Sequence, residues 1–243
     1  RRLPYGKIAA FIEPPATIPD LAADRLKDPA DFRLIGRTLP RFDIPAKVDG
    51  TAQYSIDVQL PGMVYGMITR SPAHGARPAL RNQASIEAME GVRAVVTLDH
   101  GIGVVANTVE QALQAKQALQ VDWSDAPSRD HDSQSAYEAY AGLMVDGGAA
   151  GRVLVDTGDV GRIMRRAARR FDADYRNDYV YHCQMEPLNA VVSIAEDGRS
   201  AEVWVGSQAP DRAREAAAEA LGLPFEQVVF HPCYLGGGFG RRS

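Results

Sequence analysis

The sequence is poor in cysteine, with Cys183 and Cys233 the only two in 243 residues. Two thiols cannot hold a chain of this length in a disulfide framework, so its folding must rest on apolar cores. A charge excess of one sign is also missing. Lys and Arg number 27 against 31 Asp and Glu, and the net charge of −4 gives no electrostatic reason to expect nucleic acid or an anionic membrane as a partner. No apolar run approaches the roughly 20 residues that cross a bilayer. An initiator Met and a secretory leader are absent as well. Beginning on Arg1-Arg2 and stopping on Arg242-Ser243, the sequence reads as an excerpt of a longer chain, so missing targeting signals leave the compartment open. What is present is the composition of a globular protein, 45% hydrophobic and 24% charged.

Each cysteine has a histidine nearby, as His182-Cys183 and His231-x-Cys233. In a strand His231 and Cys233 share a face, whereas His182 and Cys183 point to opposite faces, a poor geometry for convergent zinc ligands. The pattern favours buried thiols beside structural histidines, and no metal ligand is assigned.

Prolines at 14, 15, 19, 29, 40 and 45 make residues 1–45 an extended lead-in, with room for a short helix only over 5–12. Residues 46–125 read as a compact α+β domain. Alternation of Tyr54, Ile56 and Val58 predicts a strand over 51–59, followed by strands at 63–70 and 78–84. A short helix over 85–90, capped by Ser85, precedes the apolar runs VRAVVTL and IGVVA, a helix over 108–119 and a strand over 119–123. Residues 126–168 form a connector, with helices near 134–144 and 159–167, a break at Gly147-Gly148 and a strand over 152–160. Residues 169–243 open with strands at 169–181, 189–195 and 201–206, and Asp197-Gly198 signals a hairpin turn.

The clearest helix spans 210–221. Pro210 suits its first position, Asp211 its positive end, and Gly222 and Pro224 its stop. A strand over 228–234 follows, and the chain closes on LGGGFGRRS. Strand, helix and strand make a βαβ unit with parallel strands, whose two following loops share one sheet edge. Gln208 and the loop 236–241 therefore converge on one place, the edge where open α/β sheets bind ligands. The glycines do not complete a dinucleotide fingerprint, because Arg241 stands at the third required glycine, and no P-loop Lys follows. Two readings remain open. The loop is a tight strand-end turn with solvated arginines, or a run of N–H groups beside Arg241 and Arg242 suited to a polyanionic ligand that Phe239 walls on one side. Gln208 likewise reads as a ligand contact or as the cap of the helix at 210–221. With few partners of their own, residues from about 235 onward are expected to be loosely held or held by neighbouring chains.

LGGGFGRR, taken with GSQAPDRAREAAAEALGLP, resembles the large subunits of the xanthine oxidase family of molybdenum hydroxylases. It looks most like the isoquinoline 1-oxidoreductase branch, which includes membrane-associated aldehyde dehydrogenases. YHCQMEPLNAVV is similar to the family's Glu-Pro strand, and IPAKVDGTAQYSIDVQLPGMVYGMITRSP to the opening of its α/β hammerhead domain. The resemblance covers about 32–243 and is weakest over 126–168.

That resemblance implies an α+β fold: an α/β hammerhead domain over 46–125, then the first part of a molybdopterin-binding α+β domain containing the βαβ unit. It implies that Gln208 hydrogen-bonds an oxygen ligand of molybdenum. Gly236, Gly237, Gly238, Phe239 and Gly240 then pack against molybdopterin, with Arg241 where many relatives have glycine. Glu186 supports the pocket or orders a strand end. The implied reaction hydroxylates a carbon of an N-heterocycle or aldehyde with oxygen from water, using a glutamate base expected beyond Ser243. No catalytic residue is therefore assigned, and the 243 residues alone are expected to be inactive. The implied cofactor is molybdenum on molybdopterin in its cytosine dinucleotide form. The implied partners are a small subunit with two-iron two-sulfur clusters and a small-molecule substrate, with a cytochrome c subunit as a further candidate. Relatives of this kind place the bacterial periplasm or membrane in view. The alternative is a non-catalytic module that binds an anionic ligand or a partner at the same sheet edge.

Overall fold

In the computed structural model, which describes residues 3–13, 16–17, 20–145 and 151–243, the chain forms two units, Arg1–Ala52 and Gln53–Ser243. Proline spacing keeps the first unit short of regular structure. Its helices are α1 (Tyr5–Ala9) and α2 (Ile44–Asp49), the latter ended by Gly50 at a φ of +79°. Asp43 enters α2 with its carboxylate bonded to Arg41 and, at 2.8 Å, to Lys47. Those bonds hold its pKa far below the usual carboxylate range.

In the second unit, β1 (Tyr65–Arg70), β3 (Val92–Leu98) and β4 (Gly101–Ala106) form an antiparallel sheet in the order β1-β4-β3. β4 is central, and Ile102, Val104 and Ala106 on it are fully buried. Val104 packs with Ile86 of α3 (Gln83–Glu87) and Ala115 of α4 (Val109–Ala118). Thr108 caps α4 by accepting the Gln111 N–H. β2 (Pro78–Leu80) pairs antiparallel with β5 (Val121–Trp123). Two more helices follow, α5 (Ser133–Val145) and α6 (Val160–Arg166).

The last sheet has the order β6-β7-β8, from β6 (Val191–Ile194), β7 (Ala201–Val205) and β8 (Val228–Pro232). β6 and β7 form the antiparallel hairpin signalled by Asp197-Gly198. β7 and β8 are parallel, joined by α7 (Pro210–Leu221), so the βαβ unit forms where the sequence places it. Small alanines let α7 lie close on the sheet, and Ala218 packs with Val203 and Val228. Gly222 ends α7 in the left-handed region.

Several sequence expectations change. Residues 51–59 are not a strand: Ser55–Asp57 is a 3-10 turn, and Tyr54 makes a single parallel bridge to Tyr234. Ser55 is fully buried and Ile56 exposed, the reverse of the expected alternation, because the Ser55 hydroxyl turns inward to Glu186. The short helix starts at Gln83, and Ser85 bonds back to the Asn82 carbonyl instead of capping it. Residues 152–158 form no strand. Residues 169–181 form none either, since an extended segment becomes a strand only with a ladder partner. Side chains of α5 meet this segment instead, Tyr137 bonding Asp178 at 2.6 Å and Tyr140 meeting Tyr179. The Gly147-Gly148 break lies outside the described residues.

Cys183 is exposed and Cys233 half-buried, so only one thiol sits near the interior. His231 is stacked on Trp204 and bonded to Glu202 at 2.7 Å.

Candidate functional site

Parallel pairing of β7 and β8 brings both following loops to one edge of the sheet. The first carries Gly206, Ser207 and Gln208 into α7, and the second carries residues 233–243. The two are stitched together. The Gln208 N–H donates to the Arg242 carbonyl at 2.7 Å, and the Gly240 N–H donates to Gln208 Oε1 at 2.9 Å. Gln208 does not cap α7. Ala209 holds the cap position, and its N–H bonds the Ser207 hydroxyl at 3.0 Å. With its oxygen held by Gly240, the exposed Gln208 amide presents Nε2 as a donor.

Two glycines of the loop are required by neighbours in the same chain. They make room for protein side chains. A Cβ on Gly236 would lie 2.3 Å from Glu186 Cβ, and one on Gly238 would lie 2.6 Å from Gln208 Oε1. Gly237 and Gly240 adopt φ of +99° and +88°. Only Gly240 in the run faces open space. Among the described residues, the non-glycine residues at positive φ are Cys183 and Phe239, and both adjoin this loop. Gln184, next to Cys183, has its Cα 3.5 Å from where a Gly237 Cβ would stand. Such backbone costs about 1–2 kcal/mol per residue, and it persists where surrounding contacts demand it.

Beneath the loop lies Glu186. Its Oε2 accepts the Gly236 N–H at 2.9 Å and faces Arg242 Nη1 at 2.9 Å. Its Oε1 accepts the Ser55 hydroxyl at 3.0 Å and the Asn189 amide at 3.1 Å. Burial pushes the Glu186 pKa up. The Gly236 N–H, Asn189, Ser55 and the Arg242 charge outweigh that and hold it below the usual glutamate value. The two arginines that end the glycine run part company. Arg241 is exposed, while the Arg242 side chain is 3% exposed and turned inward. The expectation of a loosely held end is reversed, because residues 236, 240 and 242 are all bonded to distant parts of their own chain.

Polar capacity is left over here. Among the described residues, the N–H groups of Gly237, Gly238 and Phe239 make no hydrogen bond to protein. Buried side-chain atoms without partners gather in the same place: both amide atoms of Gln184, Asn189 Oδ1 and Arg242 Nε. Outside this cluster only Gln111 Oε1 is in that state among the described residues. The free N–H groups of the loop fit a ligand rich in oxygen functions, while the unpaired buried atoms, with almost no accessible surface, carry a cost within the protein.

Comparison with known proteins agrees with that chemistry. Residues 147–243 match the molybdopterin cofactor-binding domain. Over 98% of its length the chain is 33% identical to the beta subunit of isoquinoline 1-oxidoreductase from Brevundimonas diminuta, covering 31% of that protein. Over 89% it is 30% identical to a nicotinate dehydrogenase chain of Pseudomonas putida, covering 18%. The chain is thus similar over most of its length to subunits of this kind, the molybdenum-binding subunit of an Escherichia coli xanthine dehydrogenase among them. It spans about a third or less of the length of these relatives. The fold is shared with quinoline 2-oxidoreductase from Pseudomonas putida 86, at a TM-score of 0.61 and 21% identity over 86% of this chain and 31% of that one. A copper- and molybdenum-containing CO dehydrogenase shares it at 0.60 and 21%, over 85% and 32%.

Sequence reasoning brings together Gln208 and 236–241, and the structure joins them. It misses Ser55, Gln184 and Asn189, and it sets Arg242 beside an anionic ligand where the fold turns that side chain inward to Glu186. Asn189 follows Glu186-Pro187 closely enough to have been suspected, while nothing in the sequence separates Arg242 from Arg241.

Proposed function

We propose that these residues form one wall of a molybdenum–molybdopterin site in a hydroxylase that oxidises N-heterocycles or aldehydes with oxygen from water. The observation that carries this reading is the bond from the Gly240 N–H to Gln208 Oε1, which turns the Gln208 NH₂ outward as a donor. Gln208 Nε2 and the free N–H groups of Gly237, Gly238 and Phe239 would donate to oxygen functions of the cofactor, and Phe239, 70% exposed, would cover an apolar face. Arg241, also exposed, would meet a phosphate of the cofactor's dinucleotide, the cytosine form. When bound, the cofactor supplies a Lewis-acidic metal and a two-electron acceptor. The chain's own residues orient it and hold donors in place before reaction, which makes such donors effective.

In this reading residues 46–125 are the α/β hammerhead domain, 126–168 a connector, and 169–243 the start of the cofactor domain. The general base and the remaining cofactor contacts come from outside these 243 residues. Electrons leave to a small subunit carrying two-iron two-sulfur clusters, and a cytochrome c subunit is a further candidate acceptor.

The test uses the full-length protein with its co-purifying subunits. Molybdenum, pterin and cytidine nucleotide are quantified, and N-heterocycles and aldehydes are supplied in isotopically labelled water. The expected result is one molybdenum per large subunit and label in the hydroxylated product. Product oxygen drawn from dioxygen, or protein free of pterin, would overturn the reading.

A further inference from the structure

We propose that Arg242 is the positioning residue of the cofactor loop, setting the Gln208 donor through a buried pair with Glu186. The inference rests on the function proposed above and adds to it a residue that never needs to touch the ligand.

Both terminal nitrogens of the Arg242 guanidinium are turned onto its own chain, and only Nε lacks a partner there. Nη1 lies 2.9 Å from Glu186 Oε2 and 3.4 Å from the Gly206 carbonyl. Nη2 donates to the carbonyls of Glu186 at 2.7 Å and Pro187 at 3.3 Å. Gly206 leaves the space for this side chain, since a Cβ there would stand 3.1 Å from Nη1 and 2.7 Å from the Tyr234 carbonyl. The side chain therefore threads between the ends of β7 and β8. Its carboxylate partner reaches further, to Ser55, Asn189 and Gly236. One ion pair ties together residues 55, 186–189, 206 and 236, which chain connectivity leaves far apart.

A buried ion pair is weak evidence for stability, because desolvation offsets the attraction. This one is also outside both apolar clusters of the unit. What it fixes is geometry. The Arg242 carbonyl accepts the Gln208 N–H at 2.7 Å and the Ser207 hydroxyl at 3.1 Å, so holding Arg242 holds the backbone of Gln208. The Gly240 N–H then holds the Gln208 side chain. Both grips on the donor trace back to the segment that Arg242 anchors. Lysine could keep the charge but not the planar fork that reaches several acceptors at once.

The experiment compares Arg242→Lys, Gln208→Ala and the double variant in full-length protein with its partner subunits. Hydrogen exchange of residues 206–209 and 236–243 is followed, with β4 as an internal reference, alongside cofactor content and turnover. Arg242→Lys is expected to speed exchange of the Gln208 and Gly236 amides about tenfold while leaving β4 unchanged, and to lower turnover per molybdenum by about tenfold. In the Gln208→Ala background the added loss of turnover should shrink to less than about twofold, because the route through Gln208 is already gone. An equal loss in both backgrounds, loosening of β4 together with the loop, or unchanged loop exchange each overturns the proposal. Should Gln208→Ala itself leave turnover intact, the functional reading fails, while the exchange data still decide whether Arg242 sets the loop. If Arg242→Lys does not accumulate, Ser55→Ala replaces it. Loss of one Glu186 contact should loosen Gly236 about threefold without affecting β4, and no change at Gly236 overturns the proposal.

Discussion

Gln208 and Gly240 meet across 32 residues of chain, the Gly240 N–H donating to Gln208 Oε1 at 2.9 Å. This contact uses the acceptor end of the amide and leaves the donor end to solvent or ligand. A residue that the sequence alone allows to be either a helix cap or a ligand contact is thereby assigned away from the cap.

Replacing Gln208 with Ala tests that assignment. The side chain is exposed and outside the apolar clusters, so folding has little packing to lose. A hydrogen bond to a charged centre contributes about 1.5–3 kcal/mol, so turnover per molybdenum is expected to fall roughly 10- to 150-fold in the full-length enzyme. The melting temperature should move by no more than a few degrees. Unchanged turnover would remove Gln208 from the site.

Glu186 makes stability pH-dependent in a defined direction. Unfolded, it titrates near the ordinary glutamate value of about 4.3, and folded it titrates lower. The native state therefore prefers the carboxylate. This contribution is complete above the unfolded pKa and is lost as pH falls through the folded one. Wild-type denaturation midpoints should drop below about pH 4, whereas Glu186→Gln should be flatter there. At pH 7 the variant should be less stable by about 3 kcal/mol, since it leaves Arg242 buried without its counter-charge. Parallel pH profiles for the two proteins would show that Glu186 carries no such linkage.

How much of this was legible in the sequence depends on how local the cause is. The βαβ unit could be read because Pro210, the alanine run, Gly222 and the flanking apolar strands act within a few residues of each other. The strand expected over 51–59 failed because Ser55 answers to Glu186, 131 residues away, and one buried hydrogen bond outweighs the alternation of Tyr54 and Ile56. Residues 169–181 keep their aromatic alternation, with Phe171 and Tyr175 exposed, but alternation specifies a face and not a partner. Arg241 and Arg242 are the same residue type in adjacent positions. Only the fold tells which one turns inward to Glu186.

Ile86 provides a control for effects on the fold as a whole. It is 1% exposed and packs against Val104 and Ala115, in a cluster separate from that of β7, α7 and β8. Ile86→Ala should cost about 2–5 kcal/mol, read as a lower unfolding midpoint. Turnover per molybdenum in the protein that remains folded should stay within about twofold of wild type, since sites without shared partners act nearly independently. A large loss of specific activity would show that the two clusters are coupled.

The glycines of the loop should separate folding from function. At Gly236 a new methyl would meet Glu186 Cβ at 2.3 Å and the Glu186 backbone nitrogen at 3.2 Å, neither of which is the end of a flexible side chain. Gly236→Ala must therefore shift the segment around Glu186 or the loop, and overpacking of this kind costs about 1–3 kcal/mol. It also disturbs the Gly236 N–H bond to Glu186. At Gly238 the methyl would meet Gln208 Oε1 at 2.6 Å, Cδ at 2.9 Å and Cγ at 3.2 Å, all of them atoms of an exposed side chain that can swing aside. Gly238→Ala should thus fold almost as well as wild type. Moving Gln208 breaks its bond from Gly240 and turns the amide donor away, so turnover should fall toward the level of Gln208→Ala. Adding Gly238→Ala to Gln208→Ala should then cost little more, because the same donor is already lost. Unfolding midpoints and turnover per molybdenum for the two single variants and the double variant decide the matter. A Gly238→Ala protein that is strongly destabilised, or one that keeps full turnover, would show that the loop does not act through Gln208.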